Sequence, residues 1–191
     1  MRNGDPSVSN VTQQLGDRYP REIGLGDDTI QLRLMGESDV DALLTFARTL
    51  SAEDLLYLRV NITDAAAIRQ WVEDIKNDRA VTIVAMRGSE VVGEATLLHN
   101  ATSWTRHLGE IRIQVSPSLR RHGLARQLAT EIEAVARALK LQLLTARMTL
   151  DQAEAQSVFS RLGFQREAVL WDYAITSDGK TRNVLVATKR L

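Results

Sequence analysis

The sequence predicts a mixed α/β (α+β) domain, and three observations predict it. Apolar residues recur with helical spacing in two early segments and one long central one, and alternate in the segments between and after them. Those segments follow the order β-α-α-β-β-β-α-β-α-β-β, which interleaves the two kinds of element. At 191 residues, 44% hydrophobic and 25% charged, the chain has the size and composition of one globular domain.

Each element has its own signal. Met1–Gly26 carries scattered charges and polar residues and no apolar h-region, so it reads as a flexible N-terminal extension, ordered at most in part by a partner or by packing around Tyr19–Pro20, to a domain spanning residues 27–191. Thr29–Leu34 alternates and reads as the first strand. Glu37–Ser38–Asp39 opens a helix to about Leu50, with Val40, Leu43, Leu44 and Phe46 on its apolar face. Ser51–Arg59 is a short helical or irregular segment, and Thr63 is a candidate N-cap for a helix over Asp64–Lys76. In that helix Ile68, Trp71, Val72 and Ile75 form the apolar stripe. Ala80–Met86 and Val91–His99 then read as a hairpin turning at Arg87–Glu90.

The next strand, Glu110–Val115, sets Glu110, Arg112 and Gln114 against Ile111, Ile113 and Val115. Pro117 stops it, and Gly123 precedes a long helix striped by Leu124, Leu128, Ile132, Val135, Ala136 and Leu139. Leu141–Leu150 is a strand and Gln152–Leu162 a short helix. Strands at Phe164–Ile175 and Arg182–Lys189 close the chain around a turn at Ser177–Gly179.

Composition narrows the function classes. The 24 Lys and Arg balance the 24 Asp and Glu, which gives no electrostatic ground for a nucleic-acid or anionic-membrane partner. The chain has no cysteine, so disulfides, thiolate metal sites and acyl-cysteine intermediates are excluded. No apolar run approaches the ~18 residues that would span a bilayer. Together these features suit a cytoplasmic location. His99 and His107 lack metal-ligand spacing, and no metal is expected.

Chemistry concentrates in Ile111–Leu128, where a strand turns into a long helix through His122–Gly123–Leu124–Ala125. The first turn of a helix exposes unpaired N–H groups and the positive end of its dipole. A pyrophosphate can sit there if no side chain blocks close approach, which the small Gly123 and Ala125 permit. Arg120, Arg121 and Arg126 add positive charge around the same turn. A plain strand–turn–helix corner, with glycine required only by backbone geometry, is the alternative.

The run Val115–Ser116–Pro117 followed by Arg120-x-x-Gly123-x-Ala125 resembles the acyl-CoA pyrophosphate motif of the GNAT (Gcn5-related N-acetyltransferase) superfamily. Gln152-x-x-Ala155-x-x-Val158-Phe159-x-x-x-Gly163-Phe164 is similar to that family's short helix and the Gly-Phe that follows it. The order of elements from Thr29 onward also matches. More loosely, Leu50–Arg59 is similar to a segment of GNAT domains related to bacterial protein-lysine acetyltransferases.

The resemblance implies a mixed, mostly antiparallel central sheet flanked by helices and an N-acetyltransferase activity with acetyl-CoA, or another acyl-CoA, as co-substrate. It places the pyrophosphate on the amides of Arg121, His122, Gly123, Leu124, Ala125 and Arg126, and the pantetheine arm along Ile113, Gln114 and Val115. Two positions depart from the pattern. Gln152 stands where the family often has Asn, and Phe159 where it often has the Tyr that protonates the departing thiolate. Tyr173 is a distant candidate for that proton. Glu110, at the start of the central strand, is the candidate base that deprotonates the amine. An ion pair with a neighbouring arginine is its other reading.

Trp71 reads as core, Trp104 as the cap of a hydrophobic edge or a lining of the acceptor cleft, and Trp171 and Tyr173 as candidates for the acceptor side. The implied acceptor is a small-molecule amine or a protein lysine, and a homodimer is among the assemblies the family uses. A non-catalytic acyl-CoA sensor with the same fold is the alternative that Phe159 favours.

Overall fold

A computed structural model describes residues 15–56 and 60–191. Among these residues eight strands join one sheet in the order β1-β2-β3-β4-β5-β6-β8-β7. They are β1 (Arg21–Leu25), β2 (Asp28–Leu34), β3 (Ala80–Arg87), β4 (Glu90–His99), β5 (Leu108–Val115), β6 (Leu143–Thr149), β7 (Gln165–Ile175) and β8 (Thr181–Arg190). The helices include α1 (Val40–Ala47), α2 (Ala52–Leu56), α3 (Ala65–Lys76), α4 (Leu124–Ala138) and α5 (Ala153–Arg161). The sheet is mixed and mostly antiparallel, as expected. Its one parallel pair, β5 with β6, lies in the middle.

Two apolar clusters sandwich the sheet. On one side Leu124, Leu128, Ile132 and Val135 of α4 are fully buried against Ala95, Leu97 and Ile111. Burying each such side chain contributes about 1.5–3 kcal/mol. On the other side Leu43 and Phe46 of α1 and Ile68 and Val72 of α3 pack with Val84, Met86 and Val91. Gly93 lets α4 lie close to the sheet. A Cβ there would stand 3.0 Å from the Gln114 carbonyl oxygen and 3.2 Å from Leu124 Cδ2.

The sheet takes in residues that the sequence assigns to the extension. Residues 1–14 lie outside the described residues, but Leu15 and Tyr19 are buried and Arg21–Leu25 pairs with β2 along its whole length. The physical reason is a polar anchor. Glu131, on α4, accepts hydrogen bonds from Arg18 Nε (2.9 Å) and Nη2 (2.8 Å), Tyr19 Oη (2.8 Å) and Arg21 Nη1 (2.9 Å). The scattered charges of the extension thus supply half of a partly buried network.

The first helix also differs from its expected span: Glu37–Asp39 is a 3-10 turn, and α1 ends at Ala47. Asp39 is buried and bound by Arg33 at 2.8 and 2.5 Å. Of the segment Ser51–Arg59, residues 57–59 lie outside the described residues. α2 occupies part of the rest.

Candidate active site

β5 is paired with β4 as far as Gly93↔Val115, but its register with β6 stops at Glu110↔Thr145. From there the two strands diverge, each continuing for several residues. The main-chain groups of Ile111–Val115 that point away from β4 therefore meet an opening instead of a strand. A cavity of about 190 Å³ occupies this split. Ile111, Arg112, Ile113 and Gln114 all line it, although successive residues of a strand point to opposite faces. Only a strand with a free edge can do that. Met148 of β6 and Gln152, Ala155 and Phe159 at α5 form the facing wall.

Beyond β5 the chain turns into the amino end of α4. Gly123, the N-cap, has φ 92°, and Arg121 is also left-handed at φ 66°. A side chain at Gly123 would be strained, although nothing stands within 4 Å of where its Cβ would be. The residues fit the phosphate cradle that the sequence predicts. The first amide to find an acceptor within the helix is Gln127, bonded to the Gly123 carbonyl at 3.1 Å, so the amides before it face outward. His122 is exposed and its Nδ1–H donates to the Arg120 carbonyl at 2.8 Å. Leu124 is buried as the first core residue of α4.

The arginines here are not all equivalent. Arg121 reaches Glu154 at 3.1 Å, both exposed, whereas Arg120 binds Asp54 of α2 at 2.6 Å. Burial pushes the Asp54 carboxyl up, but the bonds from Arg120 and Ser51 outweigh it and hold it below the usual range. The segment bearing α2 is thereby tied to the cradle.

The predicted residues of the pantetheine side are brought together. Ile113, Gln114, Gln152 and Phe159 share the cavity, and Val115 lies at the end of the same open edge. Gln152 Oε1 accepts from the Thr149 amide at 3.0 Å. Phe159 stacks edge-on against Phe164, with centroids 5.1 Å apart. Tyr173 is set apart on the sheet's edge strand. It is 57% exposed and does not line the cavity.

Glu110 lies where β5 and β6 still pair. It contacts Arg112 at 3.4 Å and Arg147 at 3.7 Å, and does not line the cavity. A different carboxylate does. Glu94, on β4 beside Gln114, is 4% exposed and lines the cavity. Burial pushes it up to about 7, against the smaller pull of the Thr96 hydroxyl and the Arg112 charge. Arg112 is itself lowered by burial. Sequence reasoning missed Glu94. The signal was present, because Glu94 is the one charged residue in the run Val91–Leu98.

Comparison with known proteins agrees with this geometry. The acetyltransferase (GNAT) family model matches residues 46–164, more than half of the chain. No curated protein sequence matches. Among solved structures, the GNAT domain of S. lividans PAT superposes with a TM-score of 0.76 at 18% identity, covering 91% of this chain and 98% of that one. A ribosomal-protein-alanine N-acetyltransferase from Brucella melitensis superposes at 0.71 with 24% identity, covering 84% and 99%. RimL, a ribosomal L7/L12 alpha-N-protein acetyltransferase in complex with coenzyme A, superposes at 0.74 with 18% identity, covering 90% and 98%. With its split sheet, its glycine-capped α4 and this match, the chain belongs to the GNAT acetyltransferase family.

Proposed function

We propose that the protein is an acyl-CoA-dependent N-acyltransferase that passes an acetyl group from acetyl-CoA to a primary amine by direct attack, with both substrates bound together. One observation carries this reading: the split between β5 and β6 opens into a cavity lined together by the free edge of β5, the start of α5 and a buried carboxylate, Glu94. The amides of Arg121–Arg126 hold the pyrophosphate, and the open edge of Ile113–Val115 takes the pantetheine arm. A β5 amide aimed at the thioester oxygen stabilises the charge that builds there.

Glu94 is the base in this reading, in place of Glu110. A lysine-like amine, of pKa about 10.4, must shed a proton to react, and a base poised near the working pH serves best. Glu94 meets that condition and faces the cavity, whereas Glu110 is engaged by Arg112 and Arg147. Phe159 has no proton to give the departing thiolate. A thiol of pKa about 8.5 is a tolerable leaving group near neutral pH without one. The acceptor is a small-molecule amine or a protein amino group, the latter in keeping with the ribosomal-protein acetyltransferases among the similar structures.

The second reading, an acyl-CoA sensor without transfer, rests on Phe159. Calorimetry with acetyl-CoA, ATP as control, followed by thiol-release assays on an amine panel, separates the two. Saturable acetyl-CoA binding with amine-dependent thiol release, both lost in Gly123→Glu, is the expected result. Binding without release from any amine supports the sensor. No binding overturns both.

A further inference from the structure

Glu94 ends a line of four hydrogen-bonding side chains from three elements. Trp71 Nε1 of α3 donates to Thr82 Oγ1 of β3 at 2.9 Å. Thr82 Oγ1 lies 2.9 Å from Thr96 Oγ1 of β4, and Thr96 Oγ1 donates to Glu94 Oε2 at 2.8 Å. The sheet register sets the line, since Thr82 is directly opposite Thr96, and Glu94 is two residues away on the same face.

Donor chemistry gives this line a direction. An indole N–H only donates, a carboxylate only accepts, and each threonine hydroxyl has one proton. The Thr96 proton goes to Glu94, so the proton between the two threonines must come from Thr82. With Glu94 ionised, every donor in the chain is used. If Glu94 takes a proton on Oε2 and donates it to Thr96, the Thr96 proton turns toward Thr82. The Thr82 proton is then left without an acceptor in a buried setting, which is costly. Glu94 Oε1 makes no hydrogen bond among the described residues, so it is the oxygen left for chemistry.

We infer that Trp71, Thr82 and Thr96 are positioning residues: a one-way donor chain, anchored by an indole, that fixes Glu94 Oε2 and presents Oε1 to the acceptor amine. This rests on the reading of Glu94 as the base. The other groups around Glu94 are accounted for. Arg112, on β5, acts on it through its charge, with Arg147 of β6 beyond and Glu110 between the two arginines. Asp74 of α3 lines the same cavity but is bound by Arg79 at 2.6 Å.

The test follows Glu94 titration in two ways: the acid limb of kcat/KM against pH with acetyl-CoA and an amine, and difference infrared titration of the free protein. Loss of the infrared signal in Glu94→Gln assigns it. Thr96→Val is expected to raise both titrations by about one pH unit and Trp71→Phe by about half a unit. Thr82→Ser, which keeps the hydroxyl, returns the wild-type profile where Thr82→Val does not. An infrared titration that stays in place in both Thr96→Val and Trp71→Phe overturns the chain. A titration that moves as expected while Glu94→Gln keeps full turnover overturns the base reading instead, and leaves the chain as packing alone.

Discussion

Glu131 and Glu94 are buried to nearly the same degree, at 3% and 4% exposure, on elements that pack against each other. What surrounds them differs. Glu131 has both oxygens occupied, by Arg18 and Tyr19 on Oε2 and Arg21 on Oε1. Among the described residues Glu94 receives one hydroxyl and has no direct ion pair, with an open cavity beside it. A buried carboxylate saturated by cations is a fastening, and one held by a single hydroxyl beside a cavity is free to exchange a proton. Burial alone therefore does not mark a functional carboxylate; the unfilled part of its coordination does.

The sharpest way to break this contrast is Glu94→Gln. It should lower turnover on the order of 10²–10⁴-fold while leaving acetyl-CoA affinity unchanged by calorimetry. The same variant should be more stable than the parent at pH 8. In the folded state the carboxyl titrates at about 7 against the usual 4.5, so the native protein binds that proton more tightly than the unfolded chain. The contribution of this group to stability is highest below 4.5, falls as the pH rises toward 7, and has lost about 3 kcal/mol above it. Denaturant melts of both proteins at pH 5 and pH 8 read the difference, and equal pH dependence would contradict it.

Glu131→Gln should do the opposite. Unfolding free energy should fall by about 2–3 kcal/mol, less than for a fully enclosed pair because both arginines reach solvent. Turnover per folded molecule should not change. Glu110→Gln tests the other carboxylate of the region and should alter turnover by less than about threefold, because its role is to join two arginines. A larger loss than in Glu94→Gln would return the base to Glu110. The smallest expected effect is at Asp54→Asn, which frees Arg120 for the phosphate. Coenzyme A should bind about two- to threefold more tightly by calorimetry, in line with a partly exposed pair.

The contrast also explains what could be read from the sequence. The corner that leads into α4 was legible because its requirements are local: a glycine at φ 92°, a small residue two positions on and a helix behind them lie within a few positions. Gln152 and Phe159 were legible for the same reason, as one short helix. Glu94 was not, because its significance depends on Thr82, Thr96 and Trp71, which come from other elements. Alternation marked Glu110 as the charge on a strand, yet gave no sign that Arg147 would arrive from β6. β1 was hidden in the same way. Arg21–Leu25 is short and interrupted by Gly24, and it is anchored by a helix residue over a hundred positions away.

The divergence of β5 from β6 has a mechanical consequence. Strands at the middle of a sheet are ordinarily its slowest to exchange amide hydrogens, because both edges are bonded. Here three register pairs, Leu108–Glu110 with Leu143–Thr145, join the two halves of the sheet, and the amides beyond them on the open side have no strand to protect them. The centre of the sheet is thus its most permeable line. On the proposed function, a co-substrate arm lying in the gap would act as an extra strand, and a loaded molecule would be stiffer across its middle than an empty one.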